Sequence, residues 1–301
     1  MLCGSPDGMQ LICNADGTFT PQLPTRNCAI PIKATVEKAA NDACTHSLYR
    51  VGYRVSNNEF LELYRSCYDE KKIQVHYVSY DAYYNTLGDT RPDQTFTSDR
   101  IISSAAGASF EAKNYYKLFE ALLGPHQTYV NSERHLVIHR GHLVPSAGFG
   151  FEQHKKMTFK YINAVPQFGD INYGNWKRIE TWILTVLSGR PNGFTICVGA
   201  LEVLKLNNTV LQPTEVYLYD NNKNPIPKWL FKTVTGDGGE HYAFLTYNNI
   251  YEPQKPTPNC QEVTCPSSLL FNPAKESGFS FCCDYNDFIN RNVPHLISEC
   301  N

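Results

Sequence analysis

Between His139 and Trp182 the chain collects residue types that together could hydrolyse a phosphodiester. His139-Arg140-Gly141-His142 ends a short strand-like run over 135–138, and a polar stretch with Asn163, Gln167 and Asn172 then feeds a helical segment carrying Glu180. Such hydrolysis needs an activated water, a cation on the non-bridging and departing oxygens, and fixed positive groups to absorb developing charge. A histidine near its free pKa can take the water's proton. An amide oxygen can bind Mg²⁺ directly while waters complete the octahedron, because magnesium dehydrates reluctantly. Arg140, two residues before His142, could supply the fixed cation.

Each of these residues also has a plainer reading. A histidine after a strand is commonly an ordinary polar residue. Asn172 could be a helix N-cap, and Glu180 could pair with Lys177 on its own helix. His135, His139 and His142 do not suit a zinc site, because on an extended strand 135 and 139 share a face and 142 falls on the other. The stripe Trp176, Ile179, Trp182, Ile183 has the spacing of core packing. His46, His76, His126, His154, His241 and His295 have no motif around them and are assigned no role.

The surrounding elements must position these groups. Leu48–Val55 and Ile73–Tyr80 alternate as strands do. Residues 86–100 are turn-rich. Helices are expected at about 109–123, ended by Gly124-Pro125, and at about 174–188, stopped by Ser188-Gly189-Arg190-Pro191. Strands are expected near Phe194–Gly199, Val216–Tyr219, Trp229–Val234 and Tyr242–Tyr247, and the tail reads as coil and disulfide. Strands outnumber helices without regular interleaving, so the expected class is α+β, a mixed, mainly antiparallel sheet flanked by helices. Residues 1–45, rich in Gly, Pro, Asn and Cys, read as a separate cysteine-rich segment or the remnant of a β-module, ahead of one domain over 46–301.

Composition narrows the setting. In 301 residues the chain is 42% hydrophobic and 19% charged, which is globular rather than disordered. No run of about 18 apolar residues predicts a membrane-crossing helix. Eleven cysteines cluster toward the two ends, with Cys197 alone between them, which reads as disulfide stapling of loop-rich termini. Cys44 and Cys67 are a plausible bridge, and the odd count leaves at least one thiol over. No paired C-x2-C spacing supports structural zinc. Asn207-Asn208-Thr209 is a glycosylation sequon. The opening Met1-Leu2-Cys3-Gly4-Ser5 is not a signal peptide, so the chain is read as a mature or truncated form of an extracellular protein. The net charge is −2, yet residues 134–190 carry eight basic residues against three acids, a local +5 that leaves −7 elsewhere. A basic face on an acidic body suits phosphate binding, and a solvated mixed face reads equally well.

The wording of the central stretch resembles the DNA/RNA non-specific endonuclease family, the Serratia-nuclease and mitochondrial endonuclease G relatives with a ββα-metal (His-Me) finger. Arg140-Gly141-His142, Asn163-Ala164-Val165-Pro166-Gln167 and Asn172-Tyr173-Gly174-Asn175-Trp176-Lys177-Arg178-Ile179-Glu180 match its three ordered motif elements, with Ile179 where the family has Leu. The resemblance implies His142 as general base, Asn172 as the direct protein ligand to Mg²⁺ (Mn²⁺ substituting), and Glu180 as the acid that orients water on the metal. It also implies Asn163 and Gln167 as a supporting polar shell. Arg91, with Phe96 and Asp99, resembles a looser phosphate-contacting element, and Arg140 would share that contact. The resemblance covers about Leu48 to Cys283, and the cysteine-rich ends look most like an extracellular arthropod branch that includes duplex-preferring nucleases. One departure is plain: the family's usual Asp before Arg-Gly-His is His139 here. The expected activity is hydrolysis of DNA and/or RNA, with a double-stranded substrate expected, to 5′-phosphate and 3′-hydroxyl ends. The alternatives are a nucleic-acid-binding protein on the same scaffold that has lost most cleavage, and a disulfide-rich interaction protein with a vestigial site.

Overall fold

The computed structural model describes residues 12–14, 19–20, 33–40, 43–85, 90–190 and 192–300. In chain order these form β1 (Ala34–Ala39), β2 (Ser47–Arg54), β3 (Phe60–Asp69), β4 (Gln74–Ala82), α1 (Ala112–Leu123) and β5 (Ile138–His142). Then come α2 (Glu152–Met157), β6 (Ala164–Phe168), α3 (Gly169–Tyr173), α4 (Asn175–Val186) and β7 (Phe194–Val203). β8 (Pro227–Thr235), β9 (His241–Tyr247), β10 (Ser280–Cys283) and α5 (Tyr285–Asn292) follow. No helix of the described residues is long and apolar enough to cross a membrane.

Eight strands make one antiparallel sheet in the order β10-β9-β8-β7-β4-β3-β2-β1. Alternation along the strands sends side chains to two different layers, as period 2 requires. On β7, Ile196, Val198 and Ala200 pack into the larger core with α1 (Tyr115, Phe119, Leu123) and α4 (Trp176, Ile179, Trp182, Ile183). Cys197 points the other way, with Trp229, Phe231, Leu245 and Phe281, against Phe288 and Ile289 of α5. The class is α+β, with the short β5–β6 pair lying in the first layer.

The expected helices are present with slightly shorter bounds. Three departures have physical reasons. The tail expected as coil contains β10 and α5, whose apolar residues are short runs hidden between cysteines and polar residues. Ala34–Ala39, inside the segment set apart on sequence, is the edge strand of the main sheet. Ala164–Phe168, read as part of a polar loop, is a buried strand. Pro166 is tolerated there because β6 belongs to a two-stranded ladder. The buried Asn248 amide covers the other side of that ladder, accepting from Phe168 N–H at 3.1 Å and donating to the Pro166 carbonyl at 3.1 Å.

Disulfides join Cys44–Cys67, Cys197–Cys300, Cys260–Cys283 and Cys265–Cys282. The bridge inferred for Cys44 and Cys67 is present, and the isolated Cys197 anchors the C-terminal layer to the middle of the sheet across 103 residues. Closing a loop of that length restricts the unfolded chain by about 4–5 kcal/mol in the entropic account. The side chains of Cys3, Cys13 and Cys28, among which the leftover thiol falls, lie outside the described residues, as does most of the N-terminal segment. Asn207 of the sequon is exposed at the end of a short strand, Lys205–Asn207.

Candidate active site

β5 and β6 pair antiparallel with His142 opposite Ala164 and Arg140 opposite Pro166, and β6 runs directly into α3 and, past Gly174, into α4. Strand, strand and helix thus form a ββα unit packed under the large sheet. Residues two apart on a strand share a face. Arg140 and His142 accordingly point to one side of β5, into a nest of aromatic rings. The His142 ring lies 4.9 Å from Phe96 and 4.7 Å from Phe159. The Arg140 guanidinium sits 5.7–5.8 Å from the ring centroids of Phe96, Phe110 and Tyr161, and Arg91 stands 5.2 Å over Phe159.

Two atoms in this nest are buried without hydrogen-bond partners, His142 Nε2 and Arg140 Nε. Burial, reinforced by the Arg91 charge, pushes the His142 imidazole down to about 3. It is therefore neutral, with a free lone pair, across the physiological range. A cleft of about 400 Å³ opens beside it, lined by Arg91, Gln94, Phe96, Arg140, Phe159 and Tyr161. A larger cavity of about 680 Å³ lies elsewhere, among Tyr83, Tyr84, Phe151, Glu62, Asp81 and Glu299. Three carboxylates against the single Arg65 guanidinium leave that cavity net negative, whereas Arg91 and Arg140 against Asp93 leave the smaller cleft net positive and the better phosphate site.

The segment carrying Arg91 and Phe96 is fastened to the one carrying Phe159. Thr97 N–H donates to the Phe159 carbonyl at 3.0 Å, and Tyr161 N–H to the Thr97 carbonyl at 3.1 Å. The buried Lys160 ammonium pairs with Asp99 at 2.7 Å. Asp99 is thus a structural anchor for the element that delivers Arg91.

Asn163 is fully buried and fully used: its amide donates to the Val144 and Thr158 carbonyls and its oxygen accepts from Val144 N–H. It holds the chain just past His142 rather than offering an atom to the cleft. Gln167 is the opposite case, with both amide atoms buried and unpaired. Gly141 makes room for it: a Cβ at 141 would stand 2.3 Å from Gln167 Oε1. His139 occupies the other face of β5 from His142, against Gly169, with its ring edge-on to Tyr173.

Asn172 lies in α3, half-buried, and is not a helix cap, since Gly174 is the N-cap of α4. Its side chain makes no hydrogen bond among the described residues. α3 packs on both β5 and β6. Glu180, one helix further, pairs with Lys232 Nζ at 3.6 Å rather than with Lys177. Lys232 is wholly buried in β8 and stands 4.8 Å over the Trp176 ring. Burial raises the Glu180 carboxyl and lowers the Lys232 ammonium, and their mutual attraction opposes both shifts. The three histidines 135, 139 and 142 form no metal-ligand cluster among the described residues.

Sequence reasoning missed Phe159, Tyr161, Lys160, Lys232 and Asn248. The first three stand immediately before the Asn163 element, so proximity to a motif was a usable signal. Lys232 and Asn248 carried none. The basic stretch 134–190 is also less open than its count implies, because Lys156 pairs with Glu152, Lys160 with Asp99 and Arg190 with Glu240.

The family profile of DNA/RNA non-specific endonucleases matches residues 44–288. A salivary endonuclease of Lutzomyia longipalpis is 28% identical over 264 residues, covering 84% of this chain, and the chain spans 63% of that relative's length. Salivary protein Tsal2A of Glossina morsitans morsitans is 24% identical over 295 residues, covering 93% of this chain and 74% of its own. Among solved structures, a chain from the crystal structure of an EndoG/EndoGI complex aligns at 17% identity and TM-score 0.45, covering 65% of this chain and 78% of that one. The likeness to an arthropod branch is matched by insect relatives. With its profile match spanning the whole ββα unit and most of the sheet, this chain belongs to the DNA/RNA non-specific endonuclease family.

Proposed function

We propose that the chain is a secreted, Mg²⁺-dependent endonuclease that hydrolyses internal phosphodiester bonds of DNA and RNA, with His142 as general base. One observation carries the reading: a neutral imidazole with an unpaired buried nitrogen, packed against the two phenylalanine rings, Phe96 and Phe159, that line a cleft walled by Arg91 and Arg140. The four disulfides among the described residues and the salivary relatives support an extracellular setting.

Arg91 and Arg140 bind the scissile phosphate, and they stabilise the extra negative charge that appears as phosphorus becomes pentacovalent. Contacts of this kind go to phosphates rather than base edges, which gives sequence independence. His142 takes the proton of the attacking water. Its low proton affinity in the bare site rises when an anionic phosphate enters and offsets the Arg91 charge, so the base strengthens when it is needed. The Phe96 and Phe159 rings fix the imidazole, and Asn163 fixes the backbone after it.

The polar side chains that β6, α3 and α4 carry in this unit offer amide and carboxylate oxygens, which suit a hard cation. Asn172 would hold Mg²⁺, with the unpaired Gln167 amide and Glu180 in support. When bound, the ion supplies Lewis-acid stabilisation of the phosphate and of the departing 3′-oxygen, giving 5′-phosphate products.

The test is a cleavage time course on supercoiled plasmid and long double-stranded RNA, with Mg²⁺ and with EDTA, for wild type and His142→Ala. Cleavage is expected with Mg²⁺ alone and to fall by about 10³-fold in the variant. Intact polynucleotide in every lane, beside a gel shift that fades with salt, would instead mean a scaffold that binds without cutting.

A further inference from the structure

On the face of the sheet away from the cleft, three side chains distant in sequence meet. His46 stands in the turn before β2, Asp69 ends β3, and His76 lies in β4. The register explains the meeting. Tyr68 pairs with Val75 and Cys67 with Tyr77, which leaves His76 as the extra residue of a β-bulge. A bulge re-aims the side chain it carries. His76 is turned onto His46, and their rings stack at 4.3 Å with 6° between planes.

Asp69 is fixed in place. One carboxylate oxygen accepts from Lys71 and Lys72 N–H at 2.8 and 3.0 Å, and the other faces His46 Nδ1 at 3.6 Å. The Cys44–Cys67 bridge, two residues from both His46 and Asp69, ties their segments together. His76 Nε2 is buried and has no hydrogen-bond partner. Burial first, then the neighbouring His46, lowers the His76 imidazole to about 4, so its lone pair is available at neutral pH. Among the described residues, this is the one group of three such side chains whose ligand atoms all lie within 4.8 Å of one another.

We propose that His46, Asp69 and His76 form a binding site for one divalent transition-metal ion of the zinc type, on the opposite face of the sheet from the catalytic centre. Two imidazoles and a carboxylate are the donor set that zinc takes with water in its fourth position. Bonds of about 2.0–2.1 Å bring tetrahedral ligand atoms to roughly 3.4 Å apart, so the group must close slightly. Parallel rings cannot aim two in-plane lone pairs at one point. Metal binding therefore turns the exposed His46 out of the stack, while the pinned Asp69 and the bulge hold the other two ligands.

The disulfide-bonded full chain, stripped of metal, is titrated at neutral pH with Zn²⁺ by calorimetry and with Co²⁺ by visible absorption. One equivalent of Zn²⁺ is expected to bind, with Co²⁺ giving the bands of a tetrahedral nitrogen–oxygen site. His46→Ala, Asp69→Asn and His76→Ala should each weaken binding by at least the roughly 10- to 100-fold that losing an outer-shell partner costs. Asn172→Ala should leave it unchanged. His46 is exposed, so its variant keeps the test open if His76→Ala fails to fold. No saturable binding, binding that survives His46→Ala and Asp69→Asn, or binding abolished by Asn172→Ala would each overturn the site.

Discussion

His142 and His76 look alike by local measures and differ in everything around them. Each is a half-buried imidazole with a buried, unpartnered Nε2, and each is pushed well below the ordinary histidine range, to about 3 and about 4. His142 is surrounded by Arg91, Arg140 and aromatic rings, whereas His76 faces a carboxylate and a second imidazole. A free lone pair among fixed cations is prepared for a proton delivered beside an anion. The same lone pair among neutral and anionic donors is prepared for a metal cation. Burial makes the lone pair available; the sign of the neighbouring charge decides its use.

That contrast can be broken most sharply at Arg140. Arg140→Ala should lower kcat/KM on polynucleotide by about 10²-fold and flatten the salt dependence of binding, while His46→Ala leaves both at wild-type values. Arg140→Ala within threefold of wild type would mean that the cation is not part of what distinguishes the two sites. Next in size is Gly141→Ala. Its Cβ would meet Gln167 Oε1 at 2.3 Å and Gln167 Cβ at 2.7 Å, and overpacking of this kind costs about 1–3 kcal/mol. Denaturant unfolding should report that loss, and an unchanged midpoint would show that Gln167 can step aside.

The smallest effect concerns what the two histidines share. An imidazole whose folded pKa lies below the unfolded value of about 6.5 binds fewer protons folded than unfolded. The stability it contributes is complete above about 6.5 and is lost as pH falls, toward about 4 for His76 and about 3 for His142. Stability measured from pH 7 to 4 should therefore fall, and His76→Ala and His142→Ala should each flatten the slope by up to about 1.4 kcal/mol per pH unit. Parallel slopes in wild type and both variants would refute the shared behaviour.

How much of this was legible in the sequence follows from the range of the interactions. The order Arg140-Gly141-His142, Asn163, Gln167, Asn172, Glu180 is local, and the strand–strand–helix unit that carries it is local too. The alternating strands and the Trp176/Ile179/Trp182/Ile183 stripe declared their periods, and the stripe is core as expected. The box around His142 was not legible, because Phe96 and Phe159 meet only through the ladder between Thr97 and the segment before Tyr161. Lys232 offered nothing on sequence, since a lysine inside an apolar strand reads as a solvent-facing residue until Glu180 is placed beside it. His76 was passed over for a related reason. A bulge slips the register by one residue, and period-2 reasoning cannot see which face the slipped residue takes.

The adjacent cysteines 282 and 283 have a consequence for crowded solutions. Successive strand residues face opposite sides of a sheet, and here Cys282 enters one core and Cys283 the other. Their partners, Cys265 and Cys260, lie on one short stretch of chain, which is therefore drawn around the outer edge of β10 and hydrogen-bonds to it through Val263 N–H and the Cys282 carbonyl. A terminal strand usually offers unpaired backbone groups on which another molecule can add a strand of its own. On this side that growth point is covered and covalently locked, so a strand from another molecule has no open backbone to add to along that border.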